Sequence, residues 1–176
     1  MEYYALRYQL GTIQQYLLWM TDIDSSAKDT VALGPDRRIL SFKALKMLQD
    51  YASHNGFALI PQDLLALHDL DWVTNWLKDP SVETVDCNHV LTAWNLFTDI
   101  YHSIEKDRDV FKAVDEQNQV IYDKIFFGNN LPAITPKGEQ YLPSWNSDEV
   151  DILCAVLSAG LEMFCRNLTP ARAGKR

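Results

Sequence analysis

The sequence predicts a single all-α domain, a compact bundle of five to seven helices joined by two long irregular connections. Three observations lead there. Apolar residues recur at alternating spacings of three and four in three long runs. Helix start and stop residues bracket most of the shorter apolar runs. At 176 residues, 47% hydrophobic and 23% charged, the chain has the size and composition of one globular domain.

The first run is Tyr3, Leu6, Leu10, Ile13, Leu17 and Met20, one apolar stripe of a long first helix. Tyr4, Leu18 and Trp19 fall off that stripe, so this helix is either covered on several sides or offers a surface for self-association. Ser41 then serves as N-cap of a helix carrying Phe42, Leu45, Leu48 and Ala52, which ends at Gly56 as the left-handed residue. Pro61 suits the first turn of a helix through Leu64, Leu65, Leu67 and His68. Asp69 or Asp71 recaps the chain before Trp72, Val73, Trp76 and Leu77, and Pro80 stops it. Asp86 caps the second long run, Cys87, Val90, Trp94, Phe97, Tyr101 and Ile104. A helix follows from about Asp109 to Phe127, with Val110, Val114, Ile121 and Ile125 inward and Gly128 as its stop. Asn146 with Glu149 forms a capping box for the third long run, Val150, Leu153, Leu157, Leu161, Phe164 and Leu168. Residues 22–40 and 128–146 lack periodicity, and each is long enough to hide a short helix or a strand pair. The domain is therefore expected to span 1–168, followed by a basic, disordered tail at 169–176.

Charge narrows the function classes. The formal net charge is −8, and the tail holds Arg172, Lys175 and Arg176, which leaves the body more acidic still. Phosphate affinity comes from clustered Lys and Arg, so neither nucleic acid nor an anionic membrane surface is an expected partner. The most apolar stretch, from Ile152 to Cys165, is too short to cross about 30 Å of hydrocarbon. Met1-Glu2-Tyr3-Tyr4 lacks the basic start of a signal peptide, and the odd cysteine count, Cys87, Cys154 and Cys165, fits buried reduced thiols in a cytoplasmic protein.

Most catalytic patterns fail on spacing. The seven glycines draw no phosphate cradle, and there is no G-x-S-x-G elbow. Asp22-Ile23-Asp24-Ser25-Ser26 begins like a calcium loop, but its sixth and twelfth positions are Ala27 and Leu33. Asp86 with His89 and Asp99 with His102 each lie one helical turn apart, yet the pairs point in different directions around the helix. On the apolar seam through Trp94, Phe97 and Tyr101, His89, Asp99 and His102 fall on the outer surface. Cys87 lies on that seam and diverges from His89. No Arg is followed by His at the spacing of an α-helical HEPN ribonuclease. His68-Asp69 resembles the His-Asp pair of the HD phosphohydrolases. That resemblance implies a metal-dependent hydrolase using His54, His68 and Asp69, with Asp86 or Asp99 as the last ligand.

The leading expectation is a non-catalytic, acidic protein-binding module without cofactor or metal, in the manner of a bacterial immunity or inhibitor protein that neutralises a cationic toxin. Excess carboxylates on a small rigid body steer association with a basic partner. Asp109, Glu116 and Asp123 recur every seven residues as one acidic row, with Lys112 and Lys124 partly offsetting it. Tyr141 and Trp145 place aromatics in the second long connection, where recognition residues tend to sit. The alternatives are the HD-like hydrolase and a homo-oligomer built through the first helix.

Overall fold

The computed structural model describes residues 1–22, 27–104, 109–115 and 118–170. It overturns the all-α bundle. The fold is mixed α/β, with a six-stranded mixed sheet packed between helices. The difference begins at the N-terminus. The expected first helix is a hairpin of β1, Glu2–Leu10, and β2, Ile13–Thr21, with Leu10 opposite Ile13. Gly11 and Thr12 both take positive φ, +64°, as a two-residue turn of primed type requires. The Asp71 carboxylate fixes that turn: it accepts from the backbone N–H groups of Gly11 and Thr12, at 2.6 and 2.8 Å, and from Gln9 Nε2 at 3.1 Å.

The misleading spacing has a physical cause. Both faces of the hairpin are buried, so apolar residues do not alternate with polar ones. Leu6, Tyr8 and Leu10 with Leu17 and Trp19 face a large core. Tyr3, Ala5, Tyr16, Leu18 and Met20 face a smaller one. The stripe read as one helix face is divided between two sides of a sheet. Tyr4, Leu18 and Trp19 are divided in the same way, so there is no first helix to carry the expected self-association surface.

The chain then adds β3, Thr30–Val31, and β4, Ile39–Phe42, both antiparallel to β2. Ser41 therefore lies inside a strand, and Ala44 takes the N-cap position of α1, Leu45–His54. Gly56 ends that region with φ +74°, as expected. Pro61 to Ala66 is not helical; it leads to β5, Leu67–Asp69, which runs parallel to β1. Asp69 caps α2, Leu70–Trp76, by accepting from the Trp72 backbone N–H at 2.9 Å. A 3₁₀ turn, Val82–Thr84, precedes α3, Cys87–Ser103, which Asp86 caps.

The helix expected over 109–127 is two: α4, Asp109–Asp115, and α5, Gln119–Gly128. Ile121 and Ile125 are buried as expected, whereas the side chains of Val110 and Val114 lie outside the described residues. The Asn146–Glu149 capping box opens α6, Ser147–Asn167. Its chain continues into β6, Leu168–Pro170, parallel to β4, so Thr169 and Pro170 belong to the sheet edge; residues 171–176 lie outside the described residues. The strand order is β5-β1-β2-β4-β6, with β3 on β2.

Helices α3 and α6 cover the large-core face and α1 the other. A Cβ at Gly160 of α6 would come within 2.1 Å of the Phe97 ring, so these two helices cross in direct contact. Tyr8, Ser41 and Gln15 form a polar cluster beneath α6, with the Tyr8 and Ser41 hydroxyls 2.8 Å apart and Ser41 Oγ donating to Gln15 at 2.6 Å. Burial pushes the Tyr8 phenol up to about 12, so it stays protonated there. No helix among the described residues is long and apolar enough to cross a membrane.

Candidate functional site

The second long connection, between α5 and α6, remains irregular and is the candidate site. Its irregularity follows from composition: Pro132, Pro136 and Pro143 offer no backbone donor, and Gly138 turns the chain at φ +90°. Side chains replace the missing ladder. Asn130, in the left-handed region at φ +49°, pairs with the backbone of Tyr141 in both directions. The Tyr141 N–H donates to its Oδ1 at 2.6 Å, and its Nδ2 donates to the Tyr141 carbonyl at 2.9 Å. This rung folds the connection back on itself. Asn129 ties its start to α3 by donating to the Cys87 carbonyl, and to α5 by donating to the Ile125 carbonyl, both at 2.9 Å. Gly128 makes the approach possible, since a Cβ there would lie 2.6 Å from Cys87 Sγ and 3.0 Å from Pro143 Cγ.

The far end is equally fixed. Lys124 Nζ bonds both Glu149 oxygens, at 2.6 and 2.7 Å, and stands 4.6 Å from the centre of the Trp145 ring. The Lys124 ammonium holds the Glu149 carboxyl below its usual range. Trp145 is half-buried against the large core.

On this scaffold apolar side chains point to solvent. Six of the ten exposed large apolar residues among those described fall between 120 and 142: Val120, Phe127, Leu131, Ile134, Tyr141 and Leu142. Val120 is 80% exposed, Phe127 55% and Leu142 75%. Val120, Asp123 and Phe127 share the outer face of α5 by their spacing of three and four. The remaining four, Met1, Ile13, Ile60 and Leu64, are spread over other elements.

The residues expected to bind a partner divide accordingly. Asp123 and Tyr141 are exposed in this region, and Trp145 anchors it rather than presenting itself. Asp109 is exposed on α4, a separate helix, and Glu116 lies outside the described residues. Asn118 is not helical, so Asp109 on α4 and Asp123 on α5 do not form a row along one helix. Phe127, Leu131, Ile134 and Leu142 were not singled out by periodicity. For Leu131, Ile134 and Leu142 the signal is an apolar content in a Pro- and Gly-rich segment that no helical pattern could bury; Phe127 lies within a helix and carries none.

The ligands expected of an HD-like centre are not brought together. His54 ends α1 over the small core, with Nδ1 2.6 Å from the Asp50 carbonyl. His68 pairs in register with Tyr8 and so lies on the opposite side of the sheet, its Nδ1 3.3 Å from the Arg7 carbonyl. Burial lowers the His68 pKa to about 4, against a smaller upward pull from that carbonyl. Asp69 is engaged as a helix cap. Among the described residues no group of three or more His, Cys, Asp or Glu could hold a metal ion. Residues 23–26 of the calcium-like stretch lie outside those described.

The expected outer surface of α3 is instead covered by sheet and α2. Asp99 accepts from Trp19 Nε1 at 2.9 Å, and His89 stacks on Trp72 with ring centres 4.7 Å apart. Burial raises the Asp99 pKa to about 7; the Trp19 bond opposes this and the Asp29 charge adds to it. All three cysteines are free, Cys87 and Cys154 half-buried and Cys165 exposed rather than buried.

No protein-family profile matches the chain, and no curated protein sequence matches it significantly. Among solved structures, the chain is similar to the C-terminal domain of SatS, crystallised in complex with bromine. The two share 15% identity with a TM-score of 0.52, over 96% of this chain and 94% of that one, a likeness of fold alone.

Proposed function

We propose that this protein is a protein-binding module that docks its partner on the outer face of α5 and the connection that follows it. One observation carries the reading: exposed apolar side chains stand on a segment whose backbone is pinned by side-chain hydrogen bonds and a Lys124–Glu149 clamp. Single exposed apolar residues need no explanation, but a concentration of them in one segment marks an interaction surface. A fully buried Leu, Ile or Phe gains roughly 1.5–3 kcal/mol. A few such anchors supply the core of an ordinary interface. Pinning adds to this, because a segment already held in place loses little freedom on binding.

The test is capture of the partner from native cells, followed by affinity measurement with the purified pair. Ile134→Asp with Leu142→Asp should weaken binding at least a hundredfold while leaving the thermal midpoint unchanged. Unchanged affinity would place the interface elsewhere.

A further inference from the structure

We infer that the partner presents a basic amphipathic segment: apolar side chains flanked by lysine or arginine. This rests on the docking reading above and assigns the chemistry of what docks there. The segment that carries the exposed apolar residues also carries exposed carboxylates that form no ion pair among the described residues. Asp123 stands between Val120 and Phe127 on the outer face of α5 and, among the described residues, is engaged only by the Gln119 amide. Glu139 lies within the connection, and Asp148 and Asp151 follow it on the exposed side of the first turns of α6. Among the described residues none of these four forms an ion pair.

Cations are scarce in the same stretch. From Asn118 to Asp151 the chain has only Lys124 and Lys137 and no arginine. Lys124 is consumed by Glu149 and the Trp145 ring, which leaves Lys137 against four carboxylates. The N-terminal dipole of α6 favours Asp148, but the segment still carries more exposed negative than positive charge. A cationic rim on the partner complements that charge while its apolar residues cover Phe127, Ile134 and Leu142. A neutral apolar partner would gain nothing from these carboxylates, and an acidic one would be repelled.

Three synthetic 14-residue peptides serve as probes against the full chain. The first repeats Leu and Lys in an amphipathic pattern, the second replaces each Lys by Glu, and the third replaces each Leu by Ser. Amide chemical shifts locate binding, and titration gives the affinity. The Leu/Lys peptide should shift residues of 120–145 and bind at least tenfold more tightly than either of the others at 50 mM salt. Its advantage over the Leu/Glu peptide should shrink at 500 mM salt, where screening is short-ranged. It should also shrink in the variant Asp123→Asn, Glu139→Gln, Asp148→Asn, Asp151→Asn. Ile134→Asp with Leu142→Asp should abolish the shifts.

Equal binding of the Leu/Lys and Leu/Glu peptides at 120–145 would overturn the charge assignment and leave the docking reading standing. So would a full Lys preference in the quadruple variant. Equal binding of the Ser/Lys peptide would show bulk attraction to an acidic protein and overturn the inference. Shifts outside 120–145 for every peptide, or none at all, would overturn both.

Discussion

The two long connections look alike in sequence and end differently. Within the first, Thr30–Val31, Ile39 and Leu40 are drawn into the sheet. Thr30, Val31 and Ile39 are β-branched and pair as strand residues, and Arg37, at φ +60°, turns the chain between Gly34 and Arg38. Val31 and Ile39 enter the large core, Ala32 and Leu40 the small one. Residues 128–146 carry similar apolar residues interleaved with three prolines, which remove backbone donors; no ladder forms, and the Asn130 side chain bridges to the Tyr141 backbone instead. The first connection buries Val31, Ala32, Ile39 and Leu40, while the second buries part of Trp145 but leaves Leu131, Ile134, Tyr141 and Leu142 in solvent. That contrast separates a structural segment from the segment on which we propose docking.

Four substitutions test the contrast, in descending order of expected effect. Ile39→Ala, in the first connection, removes a fully buried side chain and should cost about 2–4 kcal/mol in urea unfolding. A cost below about 0.5 kcal/mol would show that the first connection is not part of the core. Asp99 acts on the same region, since its carbonyl accepts from Ser103 Oγ, which in turn accepts from the Val31 backbone N–H. Its folded pKa, raised to about 7, means that the neutral carboxyl contributes stability present below the unfolded value near 4 and lost as pH rises through 7. Asp99→Asn keeps an oxygen acceptor for Trp19 and cannot ionise. It should match the wild type near pH 4 and exceed it by on the order of 2 kcal/mol at pH 8. Equal stability at pH 8 would show that Asp99 ionises freely.

In the second connection the effects are smaller. Gly128→Ala forces a Cβ against Cys87 Sγ and Pro143 and should cost about 1–2 kcal/mol. Cys87→Ala should restore part of that loss, and full additivity in the double-mutant cycle would refute the contact. Leu142→Ala should change stability by less than about 0.5 kcal/mol, because its side chain is already in water. A larger loss would mean that Leu142 packs on the protein itself.

Local signals were legible where they are chemically specific. Asp86, Asp69 and the Asn146–Glu149 pair cap the helices that the sequence assigns to them, and Gly56 ends α1. The hairpin was not legible, because Leu6, Leu10, Ile13 and Leu17 look the same whether they line one helix face or sit within a doubly covered sheet. Asp99 was misplaced for a related reason: α3 is covered on nearly every side, and a single apolar seam cannot reveal that. Of the candidate site, Tyr141 and Trp145 stood out as aromatics in an aperiodic segment. Phe127 was hidden within a helix, and Leu131, Ile134 and Leu142 became informative only once the structure left them uncovered.

Site-specific photo-crosslinking in native cells tests the central claim most directly. A benzoylphenylalanine at position 142 and another at 134 sample the second connection; one at position 38, exposed at the tip of the first, is the control. Positions 142 and 134 should yield the same discrete protein adduct, and position 38 none. An adduct formed equally from position 38, or from position 38 alone, would contradict the assignment of docking to the connection between α5 and α6.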